Sequence, residues 1–192
     1  MPIVRLDEAT VRRIAAGEVV ERPASVVKEL VENALDAEAR TIRVEIVAGG
    51  RESIRVQDDG TGIPPDELPL AVERHTTSKL HRFEDLARLA SYGFRGEALA
   101  AISAVSECEI VSRVPDVPYG ARLLVRYGRP GRVEPIGVAP GTVVTVRDLF
   151  ANVPARRRFL RQDATEVALI QRTLAALALA HPEVRFEFTN DG

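Results

Sequence analysis

Residues 23–62 read PASVVKELVENALDAEARTIRVEIVAGGRESIRVQDDGTG, and this stretch decides the fold. Pro23 stands where a helix would begin, a position at which its missing N–H costs nothing. Four apolar residues then recur at the spacing of one helix face. They are Val27, Leu30, Val31 and Ala34. The pattern predicts an amphipathic helix with one buried face.

The second half of the stretch contains two runs of alternating apolar and polar residues, 42–47 and 53–58. Gly49 and Gly50 lie between the runs, which predicts a β-hairpin. A glycine-rich loop, 58–62, follows the second run. The hairpin is therefore expected to end in a loop of unusual backbone freedom.

Helices and strands are predicted in separate blocks on both sides of this stretch. Asp7 is predicted to cap a helix that carries Val11, Ile14 and Ala15 on one face and ends at Gly17. Further helices are predicted from residue 64, at 83–90, from about 96 and at 166–180. Strands are predicted at 109–114, 121–127, 142–148 and 184–188, with turns at 115–118, 128–131 and 140–141. This order predicts an α+β fold, a two-layer sandwich of a mixed, largely antiparallel sheet with helices on one face.

Composition excludes several classes of protein. The 192 residues suit one domain, and the net charge of −2 argues against a domain wrapped wholly in nucleic acid. The single cysteine, Cys108, excludes an internal disulfide and is expected to be a small core residue. No apolar run is long enough to span a membrane, and the first residues do not resemble an export signal. A cytoplasmic location is expected.

The usual phosphate-binding motifs, G-x-x-x-x-G-K-[ST] and G-x-G-x-x-G, are absent from the sequence. Another candidate pair lies on the predicted helix of 23–36, where Glu29 and Asn33 are four residues apart and share a face. A carboxylate beside an amide oxygen suits a water-activating base next to a magnesium ligand. For this pair taken alone, a solvated helix face formed by Glu29, Glu32 and Asp36 is the favoured interpretation.

The loop of Asp58 to Gly62 is a second candidate. A carboxylate at a strand end can accept a hydrogen bond from an exocyclic amine such as that of adenine. The glycines allow a flat ligand to approach the backbone closely. A strand-terminating turn is the alternative interpretation.

Two further candidates involve loops. Residues 93–99 lead into a predicted helix whose first N–H groups could bind an anion, and 76–79 could supply hydroxyls and one ammonium. Gly141 and Thr142 stand at the head of a predicted strand. Ordinary polar loops and turns remain the alternatives.

Taken in order, these segments resemble one family from end to end. Residues 14–23, 28–33, 75–79, 93–99 and 152–157 are similar to the N-terminal ATPase domain of the MutL family of DNA mismatch repair proteins. That family belongs to the GHKL superfamily, with type II topoisomerases, heat-shock chaperone ATPases and histidine kinases. The resemblance covers essentially all 192 residues.

The resemblance implies a role for each matching residue. Glu29 matches the general base that aligns water for attack on the γ-phosphate of ATP, and Asn33 matches the Mg²⁺ ligand. Asp58 matches the carboxylate that receives the adenine amine, with Gly62 and Thr142 completing the pocket. The remaining matches contact the nucleotide or form the lid over its phosphates. They are Thr77, Ser78, Lys79, Gly93, Phe94, Arg95, Gly96, Glu97, Ala98 and Leu99.

The family also implies a switch. ATP closes the lid and drives two such domains to dimerise through residues 1–20, and slow hydrolysis resets them. MutS, the mismatch recognition protein, and DNA are the partners implied for the full-length protein, with no membrane. A second subdomain that contributes a lysine to the γ-phosphate would lie beyond residue 192, so weakened hydrolysis is expected from this chain. Asp59 departs from the asparagine of many relatives.

Two other functions compete with this interpretation. One is the ATPase domain of a topoisomerase or chaperone, which the segments 93–99 and 152–157 disfavour. The other is a binding module without catalysis, which would have no use for Glu29 as a base. The arginine cluster at 156–161 could contact DNA phosphate. The interpretation as a solvated helix start, with Phe159 and Leu160 packed inward, is favoured.

Overall fold

In the computed structural model the described residues are 7–74, 76 and 97–192. Within these ranges the chain forms six helices and seven strands. The helices are α1 (Glu8–Val19), α2 (Pro23–Asp36), α3 (Leu68–Ala71), α4 (Ala98–Ala104), α5 (Pro154–Phe159) and α6 (Asp163–Ala180). The strands are β1 (Thr41–Val47), β2 (Ser53–Asp58), β3 (Glu107–Arg113), β4 (Gly120–Arg126), β5 (Arg129–Ile136), β6 (Gly141–Arg147) and β7 (Arg185–Asn190).

The strands form one sheet in the order β5-β4-β3-β6-β2-β1-β7. Every pairing is antiparallel except that of β7 with β1, which is parallel. The predicted hairpin is confirmed, because β1 and β2 pair from Ile42↔Asp58 to Val47↔Ser53 around a short 3₁₀ turn at Ala48–Gly50. The predicted α+β class with a mixed, largely antiparallel sheet is confirmed.

One face of the sheet packs on helices and the other faces solvent. Along β1, Ile42, Val44 and Ile46 are buried while the residues between them are half-buried or exposed. This alternation is typical of a sheet with one covered face. The predicted stripe of α2 is buried against β2 and α6, and α1 packs on α4. The hydrophobic core therefore lies between the helices and the sheet.

Asp7 caps α1 as predicted, since its carboxylate accepts a hydrogen bond from the Thr10 N–H at 2.9 Å. The predicted end of this helix at Gly17 is wrong, because α1 continues to Val19. The Arg156 guanidinium lies over Gly17, where an added Cβ would be 1.3 Å from one of its nitrogens. Gly17 thus serves a close side-chain approach and does not end the helix.

Two other predictions are corrected. Strand β5 occupies residues predicted as a turn, because Pro130, Gly131 and Pro135 are tolerated in an exposed edge strand. Phe159 is 83% exposed and does not pack inward, although Leu160 does contact the core. Cys108 is fully buried as predicted, and burial raises the pKa of its thiol to about 12.

The predicted helix at 83–90 lies outside the described residues. None of the described helices combines the length and the apolar character that a membrane crossing requires.

Candidate functional site

Asp58 lies at the end of β2, where the strand opens into the glycine-rich loop. Its Oδ1 accepts hydrogen bonds from the N–H groups of Gly60 at 2.9 Å and Thr142 at 3.3 Å. The hydrogen bonds from Gly60 and Thr142 therefore end on the same carboxylate oxygen of Asp58. The two amides fix the orientation of the carboxylate and leave Oδ2 pointing away from them.

Burial raises the pKa of Asp58, although the hydrogen bonds from Gly60 and Thr142 oppose this effect. The neighbouring Asp59 contributes in the same direction as burial through charge repulsion. The bond from Gly60 is the short-range turn that an aspartate at a strand end commonly forms. The bond from Thr142 goes beyond such a turn, because it joins Asp58 to a strand 84 residues away along the chain. The arrangement favours the interpretation of Asp58 as a ligand-binding residue.

The backbone around Asp58 is too close-packed to carry side chains. Gly62 has a φ of 74°, and a Cβ added there would lie 2.3 Å from the Arg113 carbonyl oxygen. Gly141 has a φ of 112°, and its added Cβ would lie 2.2 Å from the carbonyl oxygen of Asp58. Both positions require glycine for conformation and for space. The structure thereby brings Asp58, Gly62 and Thr142, three of the predicted site residues, to one place.

Ser112 belongs to the candidate site by its hydrogen bonds, and the sequence did not single it out. Its buried Oγ accepts a hydrogen bond from the Ile63 N–H at 2.8 Å, donates to the Gly141 carbonyl at 3.0 Å and lies 2.9 Å from Thr142 Oγ1. It joins the glycine-rich loop to the head of β6. A serine near the end of the apolar strand β3 was the available signal, since a buried hydroxyl needs partners.

Asp59 has a different role from its neighbour. Its Oδ1 accepts hydrogen bonds from the N–H groups of Arg40 at 2.7 Å and Thr41 at 2.8 Å, so it holds the start of β1. Burial tends to raise the pKa of Asp59, but these hydrogen bonds prevail and lower it. Asp58 and Asp59 thus form a pair in which adjacent carboxylates bind different parts of the backbone.

Glu29 and Asn33 lie on α2, one helical turn apart and half-buried. Lys28 Nζ is 3.9 Å from Glu29 Oε1 and 2.7 Å from Oε2 of Glu32, a buried carboxylate. A positive charge therefore lies beside Glu29. The Lys28 ammonium is itself held in place by Glu32.

The C-terminal end of α2 is joined directly to the glycine-rich loop. The Ala37 carbonyl, one turn beyond Asn33, accepts a hydrogen bond from the Thr61 N–H at 2.9 Å. This hydrogen bond thus connects the helix that carries Glu29 and Asn33 to the loop that begins at Asp58. No signal in the sequence predicted this connection.

The predicted lid is only partly within the described residues. Glu97 is the N-cap residue of α4, Ala98 is its first residue, and Leu99 packs against the core. Thr77, Ser78, Lys79 and Gly93 through Gly96 lie outside the described residues. Thr76 donates its hydroxyl to the Leu70 carbonyl at 2.5 Å and also to that of Glu73, so it caps α3.

The donor set fits a metal ion that arrives with phosphate. Among residues 7–74, 76 and 97–192, no cluster of three or more His, Cys, Asp or Glu side chains could hold a metal ion alone. Mg²⁺ commonly takes one or two protein oxygens together with substrate phosphates. The amide oxygen of Asn33 suits that mode of binding and does not suit a protein-only metal site.

Comparison with known proteins gives consistent matches. The profile of the family described as histidine kinase-, DNA gyrase B- and HSP90-like ATPase matches residues 21–124. DNA mismatch repair protein MutL of Xanthomonas campestris is 53% identical over all 192 residues, and that of Symbiobacterium thermophilum is 56% identical over 183 residues, 95% of the chain. The chain spans 31% and 29% of the lengths of these two relatives.

Solved structures also match. The Aquifex aeolicus MutL ATPase domain complexed with ADP is 37% identical, with a TM-score of 0.76 over 91% of this chain and 62% of that one. The ATPase domain of the mismatch repair endonuclease MutL from the same organism is 36% identical, with a TM-score of 0.72 over 91% and 59% of the two chains. The similar sequences and the similar structures are thus both MutL proteins.

Proposed function

Because this chain belongs to the family of histidine kinase-, DNA gyrase B- and HSP90-like ATPases, we propose that it is the ATP-driven switch domain of a DNA mismatch repair protein of the MutL type. The observation that carries the proposal is the Asp58 carboxylate, whose Oδ1 is fixed by the amides of Gly60 and Thr142. The remaining oxygen, Oδ2, accepts the exocyclic amine of adenine. Gly62 and Thr142 line the same pocket.

Residues 1–192 act as one ATPase domain. Thr77, Ser78 and Lys79 contact the nucleotide, and the loop from Gly93 to Leu99 supplies backbone N–H groups to its phosphates. Support for the nucleotide comes from the ADP-bound relative at 37% identity. Glu29 orients and deprotonates water for attack on the γ-phosphate, in a reaction that depends mainly on positioning and charge neutralisation.

Asn33 is the protein ligand of Mg²⁺, which when bound neutralises charge on the phosphates. In the parent chain we expect a non-hydrolysable ATP analogue to bind clearly more tightly with Mg²⁺ than with a chelator. The Asn33→Ala variant is expected to lose most of this difference, because it lacks the amide oxygen that would hold the ion. Isothermal titration calorimetry measures both states, and Mg²⁺ alone should give no heat of binding.

The control for this experiment is Asp58→Ala, which should lose analogue binding with and without the ion. A parent chain that binds the analogue equally well in both conditions would contradict the role of Asn33. A parent chain that binds no analogue at all would contradict the nucleotide site itself.

Acidification is expected to weaken nucleotide binding through Asp58. Burial raises the pKa of this carboxyl above its ordinary value of 3.8, and only the ionised form accepts the adenine amine. Affinity should therefore hold at neutral pH and fall, beginning above pH 3.8, as the carboxyl takes up a proton. Folding stability should respond to pH in the opposite direction. Because the pKa of Asp58 is higher in the folded chain than in the unfolded chain, the contribution of this group to stability increases as pH falls.

Titrations of a fluorescent ATP analogue across this pH range would measure the effect. Protonation of the phosphates contributes a background that Asp59→Asn shares with the parent chain. A profile for Asp58→Asn that matches the profile of Asp59→Asn would show that Asp58 does not titrate in the complex.

In the whole protein the domain closes its lid on ATP, dimerises through its N-terminal residues and reopens after slow hydrolysis. The partners are a second copy of the chain, the mismatch recognition protein MutS and DNA, in the bacterial cytoplasm. A pure binding module is the competing function. It is disfavoured by the closeness of the relatives, which are ATPases by family.

A further inference from the structure

A concave surface on the solvent face of the sheet lies far along the sheet order from the β2 loop. It is a cleft of about 640 Å³ bordered by β4, β5 and the turn between them. Four arginines line it and form what is termed here the hairpin arginine surface. They are Arg122, Arg126, Arg129 and Arg132.

The arginines of this surface differ in their acidic partners. Arg122 pairs with Glu109 at 3.0 Å and with Glu134 at 3.5 Å, and Arg126 lies 3.6 Å from Glu107. Arg129 and Arg132 are exposed, and among the described residues neither has an acidic group within ion-pair distance. With Glu134 the only acidic residue among those lining the cleft, the surface is positive in a chain whose net charge is −2.

The strand register places like charges together. Arg126 and Arg129 are directly opposite each other at the end of the β4–β5 hairpin. Like charges directly opposite each other destabilise a strand pair. A bound anion would reduce the repulsion between these two arginines. Tyr127 and Gly128 form the turn with φ values of 49° and 78°, which suits a tight two-residue hairpin turn.

A β-bulge adds the fourth arginine to the surface. The register shifts between Leu123 and Val125, so that Gly131 and Arg132 together stand opposite Leu124. Bulges commonly redirect a side chain. Here the bulge brings Arg132 to the rim of the cleft. Strand β5 is the edge of the sheet, so this rim is open to a large ligand.

At the opposite edge of the sheet, two exposed arginines are paired with an acidic residue. There Arg43 and Arg185 share Glu187, at 2.7 Å and 2.8 Å. Each of these two arginines has an acidic partner. At the β4–β5 hairpin, in contrast, two of the four arginines that line one cleft have no acidic group within ion-pair distance in the described part of the chain.

We propose that the hairpin arginine surface binds the phosphodiester backbone of DNA. Arg122 and Arg126 lie about 13 Å apart along the strand, at about 3.3 Å per residue. That length corresponds to about four base-pair steps along the axis of a duplex, which carries one phosphate of each strand per 3.4 Å of axis. Contacts of this kind position a protein on DNA without reading its sequence. The choice of DNA as ligand rests on the mismatch repair function proposed above, whereas the surface itself is separate from the nucleotide site.

The test is the salt dependence of DNA binding, measured by fluorescence anisotropy with short labelled duplex and single-stranded DNA of mixed sequence. Four phosphate contacts predict a slope of log affinity against log salt of about −3.6 for the duplex. The Arg129→Ala/Arg132→Ala variant should bind at least about tenfold more weakly and lose about 1.8 of that slope. The Arg129→Lys/Arg132→Lys variant should keep the slope.

The matched control is Arg172→Ala/Arg185→Ala, which removes the same charge from exposed positions on α6 and β7. The proposal is overturned if this control and the hairpin variant weaken binding equally, or if the hairpin variant binds like the parent chain. It is also overturned if a polyglutamate peptide displaces the DNA more effectively than unlabelled DNA does, since the ligand would then be an acidic protein. Asp58→Ala should bind DNA like the parent chain, which separates a failure here from a failure of the nucleotide site.

Discussion

The Glu29→Ala variant is expected to bind a non-hydrolysable ATP analogue as tightly as the parent chain and to hydrolyse ATP about 10²- to 10⁴-fold more slowly, the range that a general base contributes. Glu29 lies half-buried on α2, with the Lys28 ammonium 3.9 Å from its carboxylate. In the proposed mechanism, removing the carboxylate removes the group that positions and deprotonates water. The pocket around Asp58 is left intact, so binding is retained.

Single-turnover measurement of phosphate release, with enzyme in excess over radiolabelled ATP, reports this step even when hydrolysis by the chain is slow. Glu29→Gln keeps the size of the side chain and should be as inactive as Glu29→Ala. Glu52→Ala, an exposed carboxylate on the β1–β2 connection, is the control and should hydrolyse ATP like the parent chain. Equal hydrolysis by Glu29→Ala and the parent chain would show that the base lies elsewhere.

Asp58→Asn is expected to lower affinity for ATP analogues by about 10²-fold, near the upper end of the cost of losing one charge-assisted hydrogen bond. The N–H groups of Gly60 and Thr142 both donate to Oδ1, so an asparagine at this position must place its oxygen there. Its amide nitrogen then takes the place of Oδ2. Two donors, the asparagine amide and the adenine amine, would face each other.

The same geometry predicts a change of base preference. A donor at the position of Oδ2 suits a purine with a carbonyl at C6, so Asp58→Asn should bind an inosine triphosphate analogue better than the ATP analogue. The parent chain should show the opposite preference. Competition between the two analogues, followed by fluorescence, measures the ratio directly.

Asp59→Asn is the matched control for Asp58→Asn, because its carboxylate binds the amides of Arg40 and Thr41 and not those of the pocket. It should keep the preference for adenine. The thermal midpoint of Asp58→Asn should not fall, since burial disfavours the ionised carboxylate at neutral pH. An Asp58→Asn variant that folds normally and retains parental affinity for ATP would exclude Asp58 as the adenine residue.

Much of the fold could be predicted because short-range patterns agree with the final structure. The helix from Pro23 and the hairpin of β1 and β2 follow from periodicity alone, and the resemblance to the MutL family is confirmed by relatives that match the whole chain. Strand β5 could not be predicted in this way, because Pro130, Gly131 and Pro135 mark a turn by local rules. Only its pairing with β4 at the sheet edge makes it a strand.

The candidate site was predictable to the extent that its chemistry is local. Asp58, Gly62 and Thr142 were identified from the sequence and lie together in the structure. Ser112 was not identified, because its hydrogen bonds join segments about 30 to 50 residues away along the chain. Gly17 was misread for the same reason, since the residue that requires a glycine there is Arg156. Contacts between distant segments have no signature in a local pattern.

The parallel pairing of β7 with β1 can form only late in synthesis, because the two strands are far apart in the sequence. Residues 41–46 must wait for residues 185–190 before that edge of β1 is covered. At 5–20 residues per second the intervening synthesis takes about 7–30 s. During this interval β1 and β2 can pair, but one edge of the nascent hairpin waits for β6 and the other for β7. This edge of β1 therefore stays uncovered until β7 has left the ribosome.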